Sequence, residues 1–426
     1  MDNYIRFEKI SLLNDVVKIE FSTSSNLDKF FNYKTFTYTC ESSNLLPESI
    51  AVIPFICNVL PIAWLTDSVL YVREIDKTFL NSIEQFKKGY IEMYPQLVFK
   101  GNIKYEKIIE NYYETKRNLV LFSGGVDAIC TLLRHKDENL DLLTLWGSAD
   151  FPIDDERGWN INWEQINENV SQLGLNCHYM RTNFCDFIPI WGKELQKLVS
   201  PAKAGWWHDL QHGIGILGHT APYAYLHEVG VVYIASSFDI SRKPYTCASD
   251  PTIDNYVKWG STIVCHDGYE WNRQEKMHYI LETIDKLHIN VKFHVCLRQY
   301  QLGNCCHCEK CYRTILAILA EGKNPNDYGF NVSREIEKRI FNDLKFKIYL
   351  DYGKVITYKQ IQKVVLSNKG LNNQYLIEKF CETNFDKINN NLRKKAYIKY
   401  LSVRHLLSKI YHRLYRRNWY LHKNNK

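Results

Sequence analysis

The sequence predicts an α/β protein: a parallel sheet with helices on both faces, an N-terminal β-rich domain, a four-cysteine loop and a helical C-terminal region. Three observations predict it. From Asn118 onward, strand-length apolar runs alternate with runs of helical period, the pattern of a parallel sheet covered on both sides. Before that point the apolar residues alternate singly, as in half-buried strands. After Pro325 there is no further proline, and only Gly329, Gly353 and Gly370 interrupt the chain, so the last hundred residues can be largely helical. The expected domains are residues 1–105, 117–320 and 321–426.

Taken in order, residues 16–21 and 35–39 read as strands of the first domain. Residues 77–94 place Phe79, Leu80, Ile83, Phe86, Tyr90 and Ile91 at helical spacing. The central domain then reads strand 119–122, helix 126–134, strand 140–146, helix 163–173, strand 177–182, helix 210–229 and strand 231–235. Ligands of such sheets bind at the carboxyl ends of the strands. Ser123, Trp146, Gly147, Thr182, Asn183, Ser236 and Ser237 are therefore expected along one edge. In the tail, Tyr400, Val403, Leu407, Ile410, Tyr411 and Leu414 share a helical face, with Lys and Arg on the others.

At 426 residues the chain can bury a sizeable core. No basic leader precedes a long apolar region, and the apolar stretch 52–65 is short and interrupted by Pro54 and Pro61, which predicts neither export nor a transmembrane segment. Thirteen cysteines, four of them clustered, fit thiols in a reducing cytoplasm plus one metal site. The net charge of +7 is uneven: residues 390–426 carry eleven Lys or Arg and no Asp or Glu, leaving 43 basic against 47 acidic side chains elsewhere. A nucleic-acid partner is therefore not favoured for the body of the chain. The basic tail reads as a helix docked on the body, or as a binder of nucleic acid or an anionic membrane surface.

Two motifs carry chemistry. The run from Asn118 to Asp127, Asn-Leu-Val-Leu-Phe-Ser-Gly-Gly-Val-Asp, sets an apolar strand against Ser123, Gly124 and Gly125, with a helix following at once. Glycine accepts positive φ, so such a turn can present bare amides to an oxyanion at the helix's positive end. A Walker loop would need a Gly-Lys-Ser/Thr ending, which is absent. Far downstream, Cys296, Cys305, Cys308 and Cys311 have the spacing of a closed, structural four-thiolate zinc site, with Cys306 and His307 as alternative ligands inside it.

The first motif resembles the PP-loop of the ATP pyrophosphatase superfamily, whose pattern is Ser-Gly-Gly-x-Asp-Ser and whose fold is of the HUP type. The pair of motifs is similar to the 7-cyano-7-deazaguanine synthase family, including Arg313 after the last cysteine, over about residues 117–320. The resemblance implies a ligase: ATP and Mg²⁺ adenylate a carboxylate or amide oxygen of an acidic small molecule, pyrophosphate leaves, and ammonia or an amine displaces AMP. It implies that Ser123, Gly124, Gly125, Val126, Asp127 and Trp146 bind ATP, with Asp127 holding Mg²⁺ or anchoring the loop, and that Lys276, or Arg273, reaches the phosphates.

Three departures stand out. Ala128 replaces the motif's second serine, the family's nucleotide-facing Arg-Asn segment is absent, and its Gly-Tyr-Pro-Asp-Cys-Arg substrate segment is replaced around residues 237–247. The expected substrate contacts here are His208 and His212, one helical turn apart with Asp209 to orient one of them, and Ser237, Arg242 (or Lys243) and Tyr245. Alternative readings are a tRNA base-modifying member of the superfamily anchored by the tail, or a nucleotide-binding partner protein with little turnover.

Overall fold

A computed structural model describes residues 3–202, 204–243, 246–296 and 303–404. The chain divides into two compact units, Met1–Asn304 and Cys305–Lys426. The boundary expected after residue 105 falls inside a strand, and the one expected after residue 320 falls at the end of a helix.

The first unit contains two sheets. In the first, β1 (Tyr4–Leu13), β2 (Val16–Thr23), β3 (Thr35–Thr39), β4 (Val69–Asp76) and β5 (Asn102–Ile109) lie in the order β3-β2-β1-β4-β5. Strands β1 to β3 are antiparallel while β4 runs parallel to β1 and β5, so this sheet is mixed. The helix Ile53–Leu65 explains the apolar stretch: every residue from Ile53 to Trp64 is buried, so it is a core helix. It packs on the helix His212–Gly218, and Gly215 and Gly218 are what allow the approach. A Cβ would stand 2.6 Å from the Cys57 Cβ at Gly218, and 2.9 Å from the Asn58 Oδ1 at Gly215.

The second sheet comprises β6 (Arg117–Leu121), β7 (Leu140–Trp146), β8 (Cys177–Arg181), β9 (Val229–Ala235), β10 (Lys258–Trp259) and β11 (Thr262–Asp267). Its order is β10-β11-β9-β6-β7-β8, and all neighbours are parallel except β10 with β11. All seven residues of β7 are buried, as expected for a strand with both faces covered. From β6 the chain moves outward through β7 and β8, then returns to the other side of β6 for β9 and β11. The order therefore reverses between β6 and β9, the place where open parallel sheets form a crevice.

Two helical expectations differ from the structure. The helix expected at 163–173 begins at Glu156, because the Asp155 carboxylate accepts the Gly158 amide and caps it seven residues earlier. The helix expected at 210–229 is three pieces: a π-helical turn Trp207–Gln211, His212–Gly218 and Thr220–Leu226. Pro222 has no N–H to donate back to Gly218, and Val229 already belongs to β9.

The second unit is helical, as expected: Glu309–Ala320, Arg334–Phe346, Tyr352–Ser367, Gln374–Glu382 and residues 392–404. Tyr312, Ile315, Ile340, Leu344, Tyr358, Ile361 and Phe380 form its core, and the Tyr312 hydroxyl donates to Asp343 Oδ2 at 2.7 Å. Tyr400 and Val403 of the tail's expected apolar face are exposed; Leu407, Ile410, Tyr411 and Leu414 lie outside the described residues. Among the described residues, no helix is long and apolar enough to cross a membrane.

Candidate functional site

Strands β6, β9 and β11 lie side by side and end at the reversal of strand order. After β6 the chain turns through Ser123, Gly124 and Gly125 into the helix Val126–His135. Gly124 has φ +72°, the left-handed region that glycine enters without strain. The Gly124 carbonyl accepts the His294 amide at 2.9 Å, which fixes the outer side of the turn. The remaining groups that point onward are the amides opening the helix, whose first N–H groups have no intrahelical acceptor.

Asp127 lies in the first turn of that helix, and both of its carboxylate oxygens meet cations from a second helix, Arg273–Leu287. Arg273 Nη1 donates to Oδ2 at 2.7 Å, and Lys276 Nζ stands 3.4 Å from Oδ1. Lys276 is 2% exposed and also donates to the Ser236 carbonyl at the end of β9. Asn272 and Glu275 cap this second helix with a capping box. Its first turn nonetheless carries two cations, opposite to what the helix dipole favours, and this placement needs a compensating anion. Asp127 is that anion here. Gly268, φ +78°, follows β11 and lets the lysine pass: a Cβ there would be 3.3 Å from Lys276 Cε. Ala128 is buried on the helix beside Asp127.

The structure thus brings Ser123, Gly124, Gly125, Val126, Asp127, Arg273 and Lys276 together. Trp146 ends β7 and is occupied by its own stack: the Trp159 ring is parallel to it within 2° at 5.0 Å, and the Arg181 guanidinium lies 4.4 Å over it. Ser237 is exposed just after β9. His208 and His212 are half-buried on and after the π-helical turn, His208 edge-on to Phe238 and His212 Nδ1 3.4 Å from Cys247 Sγ. Asp209 orients neither histidine. Its Oδ2 accepts the amides of Ala204 and Gly205 at 3.0 and 2.8 Å, and burial raises its carboxyl above the ordinary range. Arg242 is 6% exposed, with Nε 4.0 Å from Asp239 Oδ2 and its guanidinium over Phe238. Lys243 is exposed, and Tyr245 lies outside the described residues. His219 is a core residue: it bridges Thr182 and the Gly215 carbonyl, and burial pushes it down to about 4.

Sequence reasoning missed a polar cluster behind the crevice. Asp267, ending β11, accepts Thr131 Oγ1 at 2.7 Å and meets His135 Nε2 at 3.2 Å and Arg134 Nη2 at 3.4 Å. His135 Nδ1 reaches Glu138 Oε1 at 2.7 Å, and the ring stacks on Tyr233 at 3.8 Å. Thr131, Arg134, His135 and Glu138 follow the loop within one helix and its end, a spacing that could have suggested a shared face.

The Sγ atoms of Cys296, Cys305, Cys308 and Cys311 all lie within 4.8 Å of one another, a group that could hold a metal ion. Cys308 Sγ also caps the helix Glu309–Ala320 by accepting the Cys311 amide at 3.5 Å. The alternative ligands are turned to other partners: Cys306 Sγ accepts the Asn331 amide at 3.4 Å and His307 Nδ1 meets Arg339 at 3.0 Å.

No protein-family model matches the chain, and no curated protein matches it. The class that fold and site define is an α/β chain with a glycine turn at the reversal of a parallel sheet and a four-cysteine cluster.

Proposed function

We propose that this chain is a PP-loop enzyme, similar to the 7-cyano-7-deazaguanine synthases, that uses ATP to activate a carboxylate or amide oxygen for attack by ammonia or an amine. The observation that carries the reading is the convergence of Arg273 and Lys276 on Asp127, beside a glycine turn at the strand-order reversal.

Transfer of a nucleotidyl group asks for positioning and for positive charge where the leaving pyrophosphate gathers electrons. The substrate oxygen attacks the α phosphorus, the bond from that phosphorus to the α,β-bridging oxygen breaks, the β and γ phosphates leave as pyrophosphate, and an acyl adenylate remains. The amine then adds to the acyl carbon, loses a proton, and expels AMP. An amide product adenylated once more on its oxygen loses AMP and a proton to give a nitrile. In this scheme the amides of the 123–126 turn take the phosphates, Lys276 and Arg273 neutralise the leaving group, and Asp127 holds both cations in place. Mg²⁺ accompanies ATP as its counter-ion.

The four cysteines suit structural zinc. Sulfurs 2.3 Å from a tetrahedral zinc are about 3.8 Å apart, against 3.8 Å for Cys305 to Cys311 and 3.4 Å for Cys308 to Cys311. A four-thiolate set leaves no position for water, so zinc supplies folding energy rather than chemistry. The test is product analysis: ATP, ammonium and a panel of heteroaromatic carboxylates should yield AMP and pyrophosphate in equal amounts. ADP as the nucleotide product would refute the reading.

A further inference from the structure

The second unit holds a cavity of about 440 Å³ between the helices Arg334–Phe346 and Gln374–Glu382 and the segment 383–391. That volume is within the range of about 300–1,000 Å³ typical of ligand sites. Four lysines line it: Lys338, Lys345, Lys379 and Lys387. Lys379 is paired with Glu382 at 2.6 Å, the one acidic residue of the lining. The other three are exposed, and none forms an ion pair with a described residue. Elsewhere in this unit lysines do find acids, as Lys347 does with Asp343 and Lys359 with Asp386. The lining therefore carries three positive charges with no acidic partner among the described residues, one of them, Lys345, with its Nζ 5.3 Å over the Phe346 ring.

Its floor is of a different kind. Phe341 and Tyr375 meet edge to face at 6.3 Å, and Leu344 and Ile388 complete an apolar surface. An inorganic anion or a headgroup would use the lysines and leave the aromatic wall unused. Unstacked bases attached to phosphates use both, since every base has a face that stacks on an aromatic ring. The sequence of this unit is basic as well. Residues 305–426 carry 25 Lys or Arg against 10 Asp or Glu, and the excess persists without the tail, 14 against 10 over residues 305–389. In sequence, Asn391 of the lining belongs to the segment 390–426, which has eleven basic residues and no acidic ones.

We propose that this cavity is a binding site for single-stranded nucleic acid, taking a base against Tyr375 and Phe341 and its flanking phosphates on Lys338, Lys345 and Lys387. The site is independent of the reaction proposed for the first unit.

The experiment uses the full chain and a fluorescein-labelled twelve-nucleotide oligouridylate, with affinity measured by anisotropy from 50 to 300 mM salt. For a single strand, each phosphate neutralised contributes about −0.7 to the slope of log K against log salt. The triple variant Lys338→Gln, Lys345→Gln, Lys387→Gln should bind at least tenfold more weakly at low salt, with the slope reduced by about 2. Its lysines are exposed, so the fold should persist, which circular dichroism checks. Lys387→Gln alone should reduce the slope by about 0.7, and Tyr375→Leu should lower affinity with the slope unchanged. Absence of oligonucleotide binding by the wild-type chain overturns the proposal. So does unchanged affinity in the triple variant, or capture by phosphatidylserine vesicles without capture of the oligonucleotide.

Discussion

Lys276 Nζ lies 3.4 Å from Asp127 Oδ1 across 149 residues of sequence, buried at the reversal of the parallel sheet. Arg273 holds the other oxygen of the same carboxylate, so the two cations are poised around one anion rather than spread over the surface. If they serve the leaving pyrophosphate, removing one should affect turnover far more than folding.

Lys276→Met should lower AMP release by about 10²- to 10³-fold, the cost of deleting one preorganised electrostatic group. Asp127 stays paired with Arg273 in that variant, so the fold should survive, as thermal melting would show. Near-wild-type AMP release would remove Lys276 from the site.

The two glycines of the turn should respond differently. At Gly124, with φ +72°, an alanine has room, its Cβ 3.6 Å from the nearest atoms, but strains the backbone by about 1–2 kcal/mol. At Gly125, φ −76°, alanine is unstrained and sits 3.4 Å from Ser123 Oγ. Gly125→Ala should therefore leave stability nearly unchanged while weakening binding of α,β-methylene-ATP. Titration calorimetry and chemical unfolding on the two variants check this.

The cluster behind the crevice predicts a pH dependence. For His135, burial lowers the pKa, but the hydrogen bonds it donates to the Asp267 and Glu138 carboxylates outweigh it and raise it above the ordinary value. A raised histidine contributes stability that is fully present below about pH 6.5 and is lost as pH rises through the folded value. For Asp267, burial raises the pKa, but His135, Thr131 and Arg134 outweigh it and hold it below the ordinary range. Its contribution is present above about pH 3.9 and is lost as pH falls through the folded value. His135→Gln should therefore lose more stability at pH 5.5 than at pH 8.5 in urea unfolding; equal losses would contradict the assignment.

One zinc per chain is expected in protein purified without chelator. Cys308→Ser with Cys311→Ser should abolish it, because a thiolate set missing two ligands no longer closes around the ion. Metal analysis by mass spectrometry decides, and full retention in the double variant would remove the cluster as the site.

The parts legible in the sequence were those fixed by local pattern. The strand Leu140–Trp146 is an apolar run interrupted only by Asp141 and Thr144, and the structure places it at the residues expected. The cysteine spacing likewise identified the four sulfurs that the fold gathers. The break near residue 220 was signalled by Pro222, which the apolar periodicity obscured. The early start of the helix at Glu156 was signalled by Asp155 and Gly158. Least legible were pairings between distant residues: nothing local in Asn272 to Lys276 names Asp127 as the partner. Such contacts depend on sheet order, and sheet order is a property of the whole chain.

The fate of the nucleotide itself tests the proposed reaction most directly. ATP labelled in both the α and γ phosphates is incubated with the protein, ammonium and a small-molecule cell extract, and the products are separated. The wild-type chain should give AMP and pyrophosphate in equal amounts, and Lys276→Met should give little. Release of ADP and phosphate, or no turnover together with no binding of α,β-methylene-ATP, would contradict it.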